Sequence, residues 1–179
     1  MDNFKDRFEA GRNVELLMDA HFRKQGWYVE YKGRMKGKPC ANSLNDSIIL
    51  PDLYVFKEDA RPFAVEVKSG ASWSWNIFQK QFQLGIAKRQ FDDYVKYETL
   101  TKVPVWIYFL CAGAIPKHHI EHSPKGLFCA EVATLKHQVD NDFQGSSYEG
   151  PVDRIVYPPT YYWNDTRFFN VSTYEDIVG

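Results

Sequence analysis

Two acidic residues and a lysine occur close together in two β-prone segments of the sequence. Asp52 follows Pro51 in an apolar run, and Glu66-Val67-Lys68 ends the next one. Side chains alternate across a strand, so Glu66 and Lys68 are predicted on one face of a sheet and Val67 on the other, in apolar packing. If the two strands are neighbours, Asp52 can lie beside Glu66 and Lys68.

These groups can bind a hard metal ion. Two carboxylates that lie close together repel each other unless a cation sits between them, and oxygen ligands suit Mg²⁺ or Mn²⁺ better than zinc. The ammonium group of Lys68 can then contact a water nucleophile or a phosphate oxygen. The residues alone therefore indicate a metal site held by Asp52 and Glu66.

The order Pro-Asp, thirteen intervening residues, Glu-x-Lys resembles the motif of the PD-(D/E)xK nuclease superfamily. The segment from Ala64 to Gly70 is similar to that of its archaeal Holliday-junction-resolvase and phage-endonuclease branches, and the resemblance covers about residues 11 to 110. It implies metal-assisted hydrolysis of DNA, with Mg²⁺ as the cofactor and Mn²⁺ as a substitute. Asp52 and Glu66 would hold the metal, and Lys68 would orient or activate the water.

The resemblance also implies a third acid, on the first helix. Glu15 lies seven residues from both Phe8 and Phe22, in the middle of an apolar stripe with helical periodicity. A carboxylate at that position is costly to bury without a partner, and a metal site would supply one. Glu15 is therefore predicted as a catalytic residue that binds the metal directly or through water. The alternative is a residue at the edge of the stripe, paired with Arg12 or Arg23.

DNA contacts are predicted by analogy on the helix that precedes the next core strand. Family members often carry a polar residue there, commonly glutamine, and Gln90 with Tyr94 one turn later occupies that kind of position. Gln81, Gln83 and Lys88 compete for the same role. Amide, hydroxyl or ammonium groups on this helix would donate to phosphate oxygens of the DNA backbone.

A further DNA contact is predicted in the segment after the first strand. Lys32, Arg34, Lys36 and Lys38 bring four positive charges without an acid, in a glycine-containing stretch. As a phosphate-contacting arm this segment would strengthen DNA binding and make it strongly salt-dependent. A solvated loop without a specific role is the alternative.

Composition limits the class of protein. The chain has 179 residues, of which 44% are hydrophobic and 16% aromatic, which is enough to build a core and excludes a disordered chain. The formal charge of -1 excludes a protein that coats nucleic acid nonspecifically. However, residues 1–102 carry 17 basic and 14 acidic side chains, whereas residues 103–179 carry 5 and 9, so a polyanion is expected to meet the N-terminal part.

Cysteine usage and apolar runs indicate the compartment. Three cysteines without a CxxC pair suggest neither a disulfide framework nor a cysteine zinc site. The longest apolar run is too short to span a bilayer, and no secretory leader is recognisable. A soluble cytoplasmic protein without a membrane partner is expected, in the host cytoplasm if the gene belongs to a phage.

The predicted fold is an α/β domain of the restriction-endonuclease-like type, with three layers and a mixed central β-sheet flanked by helices. One domain is expected over residues 1–179, with a core over about 1–112 and a C-terminal elaboration over 113–179. Predicted helices are Phe4–Gln25 and Asn76–Leu100, the latter bent near Gly85. Predicted strands are Trp27–Tyr31, the antiparallel pair Ser47–Phe56 and Pro62–Val67, the buried Val103–Cys111, and later Leu127–Val132, Arg154–Tyr157 and Phe168–Val171; residues 32–46 are predicted as a mobile loop.

Three other features have two interpretations each. Trp73 and Trp75 directly follow the predicted site and could stack on unpaired bases, although core packing is expected for at least one of them. The histidines between His118 and His122 have a spacing that can suit zinc if helical, or they are surface residues on a loop. The aromatic and proline-rich residues 157–163 form either a partner surface or a cap on the sheet.

The sequence therefore predicts an Mg²⁺-dependent deoxyribonuclease, of the kind that phages encode for recombination or repair and that acts on branched or other structured DNA. Junction resolution normally requires paired active sites, so a homodimer is a possible assembly. One alternative is a catalytically inactive nuclease-like module that binds nucleic acid or a protein partner. Another is an interaction protein that uses its acidic C-terminal half and shows no metal dependence.

Overall fold

A computed structural model describes residues 3–31, 34–35, 38–39, 48–71, 73–116, 119–141, 146–148 and 160–178 of the chain. Within these residues the helices are α1 (Asn3–Lys24), α2 (Lys88–Thr101), α3 (Val132–Asn141) and α4 (Tyr174–Val178). The strands are β1 (Tyr28–Tyr31), β2 (Arg34–Met35), β3 (Lys38–Pro39), β4 (Leu53–Lys57), β5 (Ala60–Ala71), β6 (Ser74–Asn76), β7 (Gln81–Ala87), β8 (Val105–Ala112), β9 (Lys125–Glu131), β10 (Ser146–Tyr148), β11 (Thr160–Asn164) and β12 (Phe169–Ser172).

The central sheet has six strands in the order β1-β4-β5-β8-β9-β12. The pair β5 and β8 is parallel and the other neighbours are antiparallel, so the sheet is mixed as predicted. Parallel neighbours require a crossover, which here contains β6, β7 and α2. A second sheet has the order β10-β11-β7-β6, and β2 and β3 form a separate hairpin.

Each face of the central sheet packs against its own apolar cluster. Met18 on α1 belongs to a cluster with Val65 on one face. Ala64, on the opposite face, belongs to a cluster with Phe91 on α2 and Trp163 in the second sheet. The predicted three-layer α/β architecture is confirmed, and it is consistent with a restriction-endonuclease-like fold. No helix among the described residues is long and apolar enough to cross a membrane.

The predicted first helix is confirmed to within one residue at each end. Gly26 ends it with a positive φ of 82°, which glycine adopts without a steric penalty. The Gly26 amide donates to Arg23 O at 2.9 Å and the Trp27 amide to Phe22 O at 3.1 Å. This pair of bonds satisfies carbonyls at the end of the helix and turns the chain into β1.

The strand predicted over Ser47–Phe56 was too long at its start. The observed strand β4 begins at Leu53, because Pro51 has no amide to donate to a neighbouring strand and the Ile49 amide donates instead to Asp93 Oδ2 at 3.3 Å. Asp52 therefore precedes β4 and does not lie within it. The predicted antiparallel pairing with the following strand is confirmed, although β5 extends beyond the predicted Pro62–Val67 at both ends.

The helix predicted over Asn76–Leu100 was wrong in its first half, where the chain forms β6 and β7. Leu84 and Ile86 are both buried, with the period of two that a strand requires. Gly85 lies between them, and a Cβ at that position would be 2.5 Å from Cε1 of Tyr162 on β11. The glycine therefore permits close packing within the second sheet and does not mark a bend in a helix.

The predicted loop over residues 32–46 is described only in part. Residues 34–35 and 38–39 form the hairpin of β2 and β3, so the expectation of a loop without strands was wrong there. The remaining residues of the segment, including Lys32 and Lys36, lie outside the described part of the chain.

The C-terminal part contains elements that the sequence did not reveal. The strands predicted at Leu127–Val132 and Phe168–Val171 are observed as β9 and β12, whereas Arg154–Tyr157 lies outside the described residues. Helices α3 and α4 and strand β11 were missed. Strand β11 pairs with β7 and buries Trp163, so the described part of the aromatic segment belongs to the second sheet.

Candidate active site

Lys68 joins strand β5 to helix α2. Its Nζ donates to Glu66 Oε1 at 2.7 Å and to Gln90 Oε1 at 3.1 Å. The side chains of Lys68 and Glu66 are only 21% and 9% exposed, so this charge pair is largely shielded from water. The pairing of β5 with β8 changes register directly after Lys68, an irregularity of the kind that often re-aims side chains beside active sites.

Asp52 lies beside Glu66 because of the pairing between β4 and β5. Leu53 is opposite Val65 in the register, and the Val67 amide donates to Asp52 Oδ2 at 2.9 Å. Burial raises the pKa of Asp52 to about 8; the charges of Glu66 and Glu15 add to the increase, while the Val67 amide and Lys68 oppose it. The structure therefore brings Asp52, Glu66 and Lys68 together as predicted.

Glu15 approaches this group from helix α1. Its side chain is 9% exposed, which confirms the prediction that it lies in the buried stripe of the helix. Its charge helps to raise the pKa of Asp52 and that of Tyr31, which is raised to about 12 mainly by burial and by Asp19. Of the two alternative partners of Glu15, Arg23 binds Asp19 Oδ1 at 2.6 Å. The side chain of Arg12 lies outside the described part of the chain.

The chemistry of the two carboxylates suits a divalent cation that keeps part of its water shell. Among the described residues, no cluster of three or more His, Cys, Asp or Glu side chains is arranged to enclose a metal ion. Mg²⁺ is usually held by one or two carboxylates, with waters and substrate phosphates as the other ligands. Asp52 and Glu66 can supply two carboxylates. A cation between them would relieve the repulsion that, after burial, contributes to the raised pKa of Asp52.

The residues that were considered with Gln90 for a DNA contact near the site lie in different parts of the structure. Gln90 lies at the site, whereas Gln83 is buried in the second sheet and donates to Asn164 Oδ1 at 2.7 Å. Lys88 is exposed, with its Nζ 5.5 Å from the centre of the Tyr161 ring. Gln90 is thus placed to orient Lys68, and Lys88 stays a predicted DNA contact.

Tyr94 does not face solvent. Its side chain is fully buried, so it presents no surface to a nucleic acid and the predicted DNA contact was wrong for this residue. Burial and then the charge of Glu66 raise the pKa of its hydroxyl far above the ordinary value. The ring centre lies 5.8 Å from Lys68 Nζ, so Tyr94 forms one wall of the site.

The basic segment after β1 is described only through its backbone at Arg34 and Lys38, which lie in β2 and β3. The side chains of these two residues, together with Lys32 and Lys36, lie outside the described part of the chain. Their predicted contacts with nucleic acid stay predictions.

Core packing is confirmed for one of the two tryptophans after β5. Trp73 is 1% exposed and packs edge-on against Phe128, with ring centres 5.1 Å apart. Trp75 is half-buried, with its ring centre 4.0 Å from that of His119.

The histidine run between His118 and His122 is described only in part. His122 Nδ1 lies 2.6 Å from Gly113 O. His118 lies outside the described residues, so the zinc site stays a prediction.

Asp93 is a supporting residue that sequence reasoning missed. It is 3% exposed, accepts the Ile49 amide and lies 3.6 Å from Lys96 Nζ. It thereby connects α2 to the segment that carries Asp52. Its place between Phe91 and Tyr94 on an amphipathic helix was the available signal, because an acid on an apolar face requires a partner.

Replacing Asp93 by alanine is expected to lower the free energy of unfolding by about 1–3 kcal/mol, because it leaves the Ile49 amide without its acceptor. Asp92→Ala is the matched control, since Asp92 is exposed on the same turn, and it is expected to change stability by less than about 0.5 kcal/mol. Urea unfolding of both variants checks this. Equal stability of the two would show that Asp93 does not hold the segment.

Comparison with known proteins gives similarity of structure only. No protein-family model and no characterised protein matches the sequence. One similar solved structure is Hjc of Archaeoglobus fulgidus, a Holliday junction resolvase from an archaeal hyperthermophile, at 10% identity and a TM-score of 0.47 over 87% of this chain and 89% of that chain. Another is D212, a nuclease from a fusselovirus, at 14% identity and a TM-score of 0.46 over 88% of this chain and 81% of that chain.

Proposed function

We propose that the protein is a metal-dependent deoxyribonuclease that hydrolyses phosphodiester bonds. The observation that supports this most is the convergence of Asp52, Glu66 and Lys68, with Lys68 Nζ 2.7 Å from Glu66 and the pKa of Asp52 raised to about 8. Buried carboxylates crowded in this way are costly unless a cation neutralises them. A lysine beside such a cation site supplies a group that can act on a water or a phosphate.

Asp52 and Glu66 would hold Mg²⁺, or Mn²⁺ in its place, and Glu15 would bind it directly or through water. The bound metal would polarise the scissile phosphate and lower the pKa of a coordinated water. An Mg²⁺ ion held by two carboxylates leaves positions for water and for phosphate oxygens, as hydrolysis requires.

Lys68 is the side chain that would donate directly to the reacting groups. Its ammonium carries three N–H donors, of which Glu66 and Gln90 accept two. The third can donate to the attacking water or to a phosphate oxygen, where it stabilises negative charge that develops in the transition state. Gln90 holds the ammonium from α2, and Tyr94 excludes water from one side, which strengthens these charge interactions.

We further propose that Lys88 and the basic residues Lys32, Arg34, Lys36 and Lys38 contact the phosphate backbone. Branched or otherwise structured DNA is the proposed substrate, in a recombination or repair role of the phage type, in the cytoplasm of the host. Cleavage of both arms of a junction would need two such sites, which favours a homodimer as the active form.

The substrate class can be tested with labelled four-way junction, flap, duplex and single-stranded DNA, each incubated with Mg²⁺, Mn²⁺ or EDTA. Cleavage of at least one DNA in Mg²⁺ and none in EDTA is expected. DNA binding without cleavage under every condition would instead favour a catalytically inactive binding module. Cleavage that continues in EDTA would exclude the metal site.

A further inference from the structure

Three aromatic side chains line the part of the central sheet nearest its β1 edge. The rings of Tyr28 and Phe56 are almost parallel, at 19°, with centres 5.5 Å apart, and Tyr54 follows at 5.9 Å from Phe56. Tyr28 is 62% exposed, and Phe56 and Tyr54 are half-buried. These three residues are called the aromatic row below. A contiguous group of aromatic rings with one member open to water is a candidate binding surface.

The aromatic row lies on the same face of the sheet as the candidate active site. Tyr28 is opposite Phe56, and Tyr54 is opposite Ala64, so these side chains share a face. Glu66 follows Ala64 by two residues and shares that face as well. Phe56 and Tyr54 are two residues apart on β4, or about 7 Å, and Asp52 directly precedes this strand. The row therefore leads from the β1 edge to Asp52.

We propose that the aromatic row stacks on unpaired bases of a DNA strand whose backbone reaches the Asp52–Glu66 site. This inference rests on the proposed function for the position of the scissile phosphate. Every base has a flat π-face, and aromatic side chains on an open sheet are a common platform for single strands. Bases inside a duplex are stacked on each other and cannot use the row, so the substrate is DNA with an unpaired segment beside the cleaved bond.

One charge beside the aromatic row limits where a phosphate backbone can lie. Glu30 is exposed and lies opposite Tyr54, so its carboxylate disfavours phosphates over the middle of the row, where bases are proposed to lie.

The size of the row argues against a second copy of the chain as its occupant. A fully buried aromatic side chain covers about 150–250 Å², so three rings supply far less than the roughly 1,200 Å² that a stable interface needs. A strand of stacked bases requires no such area, because each base contacts one ring.

Binding of fluorescently labelled oligothymidylate of about 15 nucleotides, measured by anisotropy in EDTA, tests the proposal apart from cleavage. Tyr28→Ala is expected to weaken binding of this single strand about 5- to 100-fold, because one base loses its stacking partner. The same variant should leave binding of a matched duplex unchanged. Tyr28→Phe, which keeps the ring, should bind the single strand like the wild type.

Phe169→Ala is the matched control, because Phe169 is 65% exposed on β12, the opposite edge strand. Unchanged single-strand binding by Tyr28→Ala, or an equal loss in Phe169→Ala, would overturn the proposal. A wild-type dimer that Tyr28→Ala converts to monomer in sedimentation would overturn it too, since the row would then be a self-interface. If the protein binds the single strand through Tyr28 but cleaves no DNA, the proposal for the aromatic row stands and the proposed nuclease function is wrong. If the protein cleaves DNA but does not bind the single strand, the nuclease function stands and the proposal for the aromatic row is wrong.

Discussion

Replacing Lys68 by methionine is expected to reduce the rate of DNA cleavage by about 10³-fold, because a charged donor aimed at the reacting groups commonly contributes that much. Mg²⁺ binding should persist, since the substitution removes a positive charge beside Glu66 and leaves the carboxylates in place. Single-turnover cleavage and calorimetric titration with Mg²⁺ measure the two effects separately. Methionine keeps the length of the side chain, so packing against Tyr94 is preserved.

Lys136→Met is the matched control for that substitution. Lys136 pairs with Asp140 one turn later on α3, and not with Asp52 or Glu66. It should cleave at the wild-type rate. A Lys68→Met variant that cleaves as fast as this control would remove Lys68 from the mechanism.

Replacing Asp52 by asparagine is expected to stabilise the metal-free protein at about pH 8 and to have little such effect below about pH 4. The pKa of Asp52 is about 8 in the fold, against an ordinary 3.8, so between these values the folded state binds the extra proton and stability falls as pH rises. Each unit of the difference is worth about 1.4 kcal/mol, so the loss amounts to several kcal/mol. Asparagine carries no charge and can still accept the Val67 amide.

Urea unfolding in EDTA across this pH range measures the effect, with Asp92→Asn as the exposed-site control. Mg²⁺ should restore stability to the wild type at about pH 8 but add little to Asp52→Asn, because metal binding requires the ionised carboxylate. A variant that is less stable than the wild type at pH 8 without metal would contradict the assignment of a destabilising charge to Asp52.

The residues of the candidate site were predictable because their signal is local in sequence. Glu66 and Lys68 share a face through strand alternation alone, and the short connection to β4 fixes Asp52 beside them. Glu15 was recognisable because an acid in an apolar stripe is unusual at any helix position. The central sheet followed from the same periodicities, which extend over whole strands.

The predictions that were wrong concern residues whose structure depends on contacts distant in sequence. The segment that forms β7 was predicted as helix because its pairing partner β11 lies more than 70 residues later in the chain. Tyr94 was predicted at the surface because the depth of α2 in the core depends on α3 and the second sheet, neither of which the sequence revealed. Asp93 acquires its role only through the amide of Ile49.

Asp52, Glu66 and Lys68 are proposed to form a metal-dependent site for phosphodiester hydrolysis. The most direct measurement is the single-turnover cleavage rate of the best DNA substrate in Mg²⁺ for the wild type, Glu66→Gln and Glu58→Gln, the last in the exposed turn between β4 and β5. We expect Glu58→Gln to cleave like the wild type and Glu66→Gln to lose on the order of 10³-fold, because a metal ligand is removed. Cleavage by Glu66→Gln at the wild-type rate would contradict the proposed site.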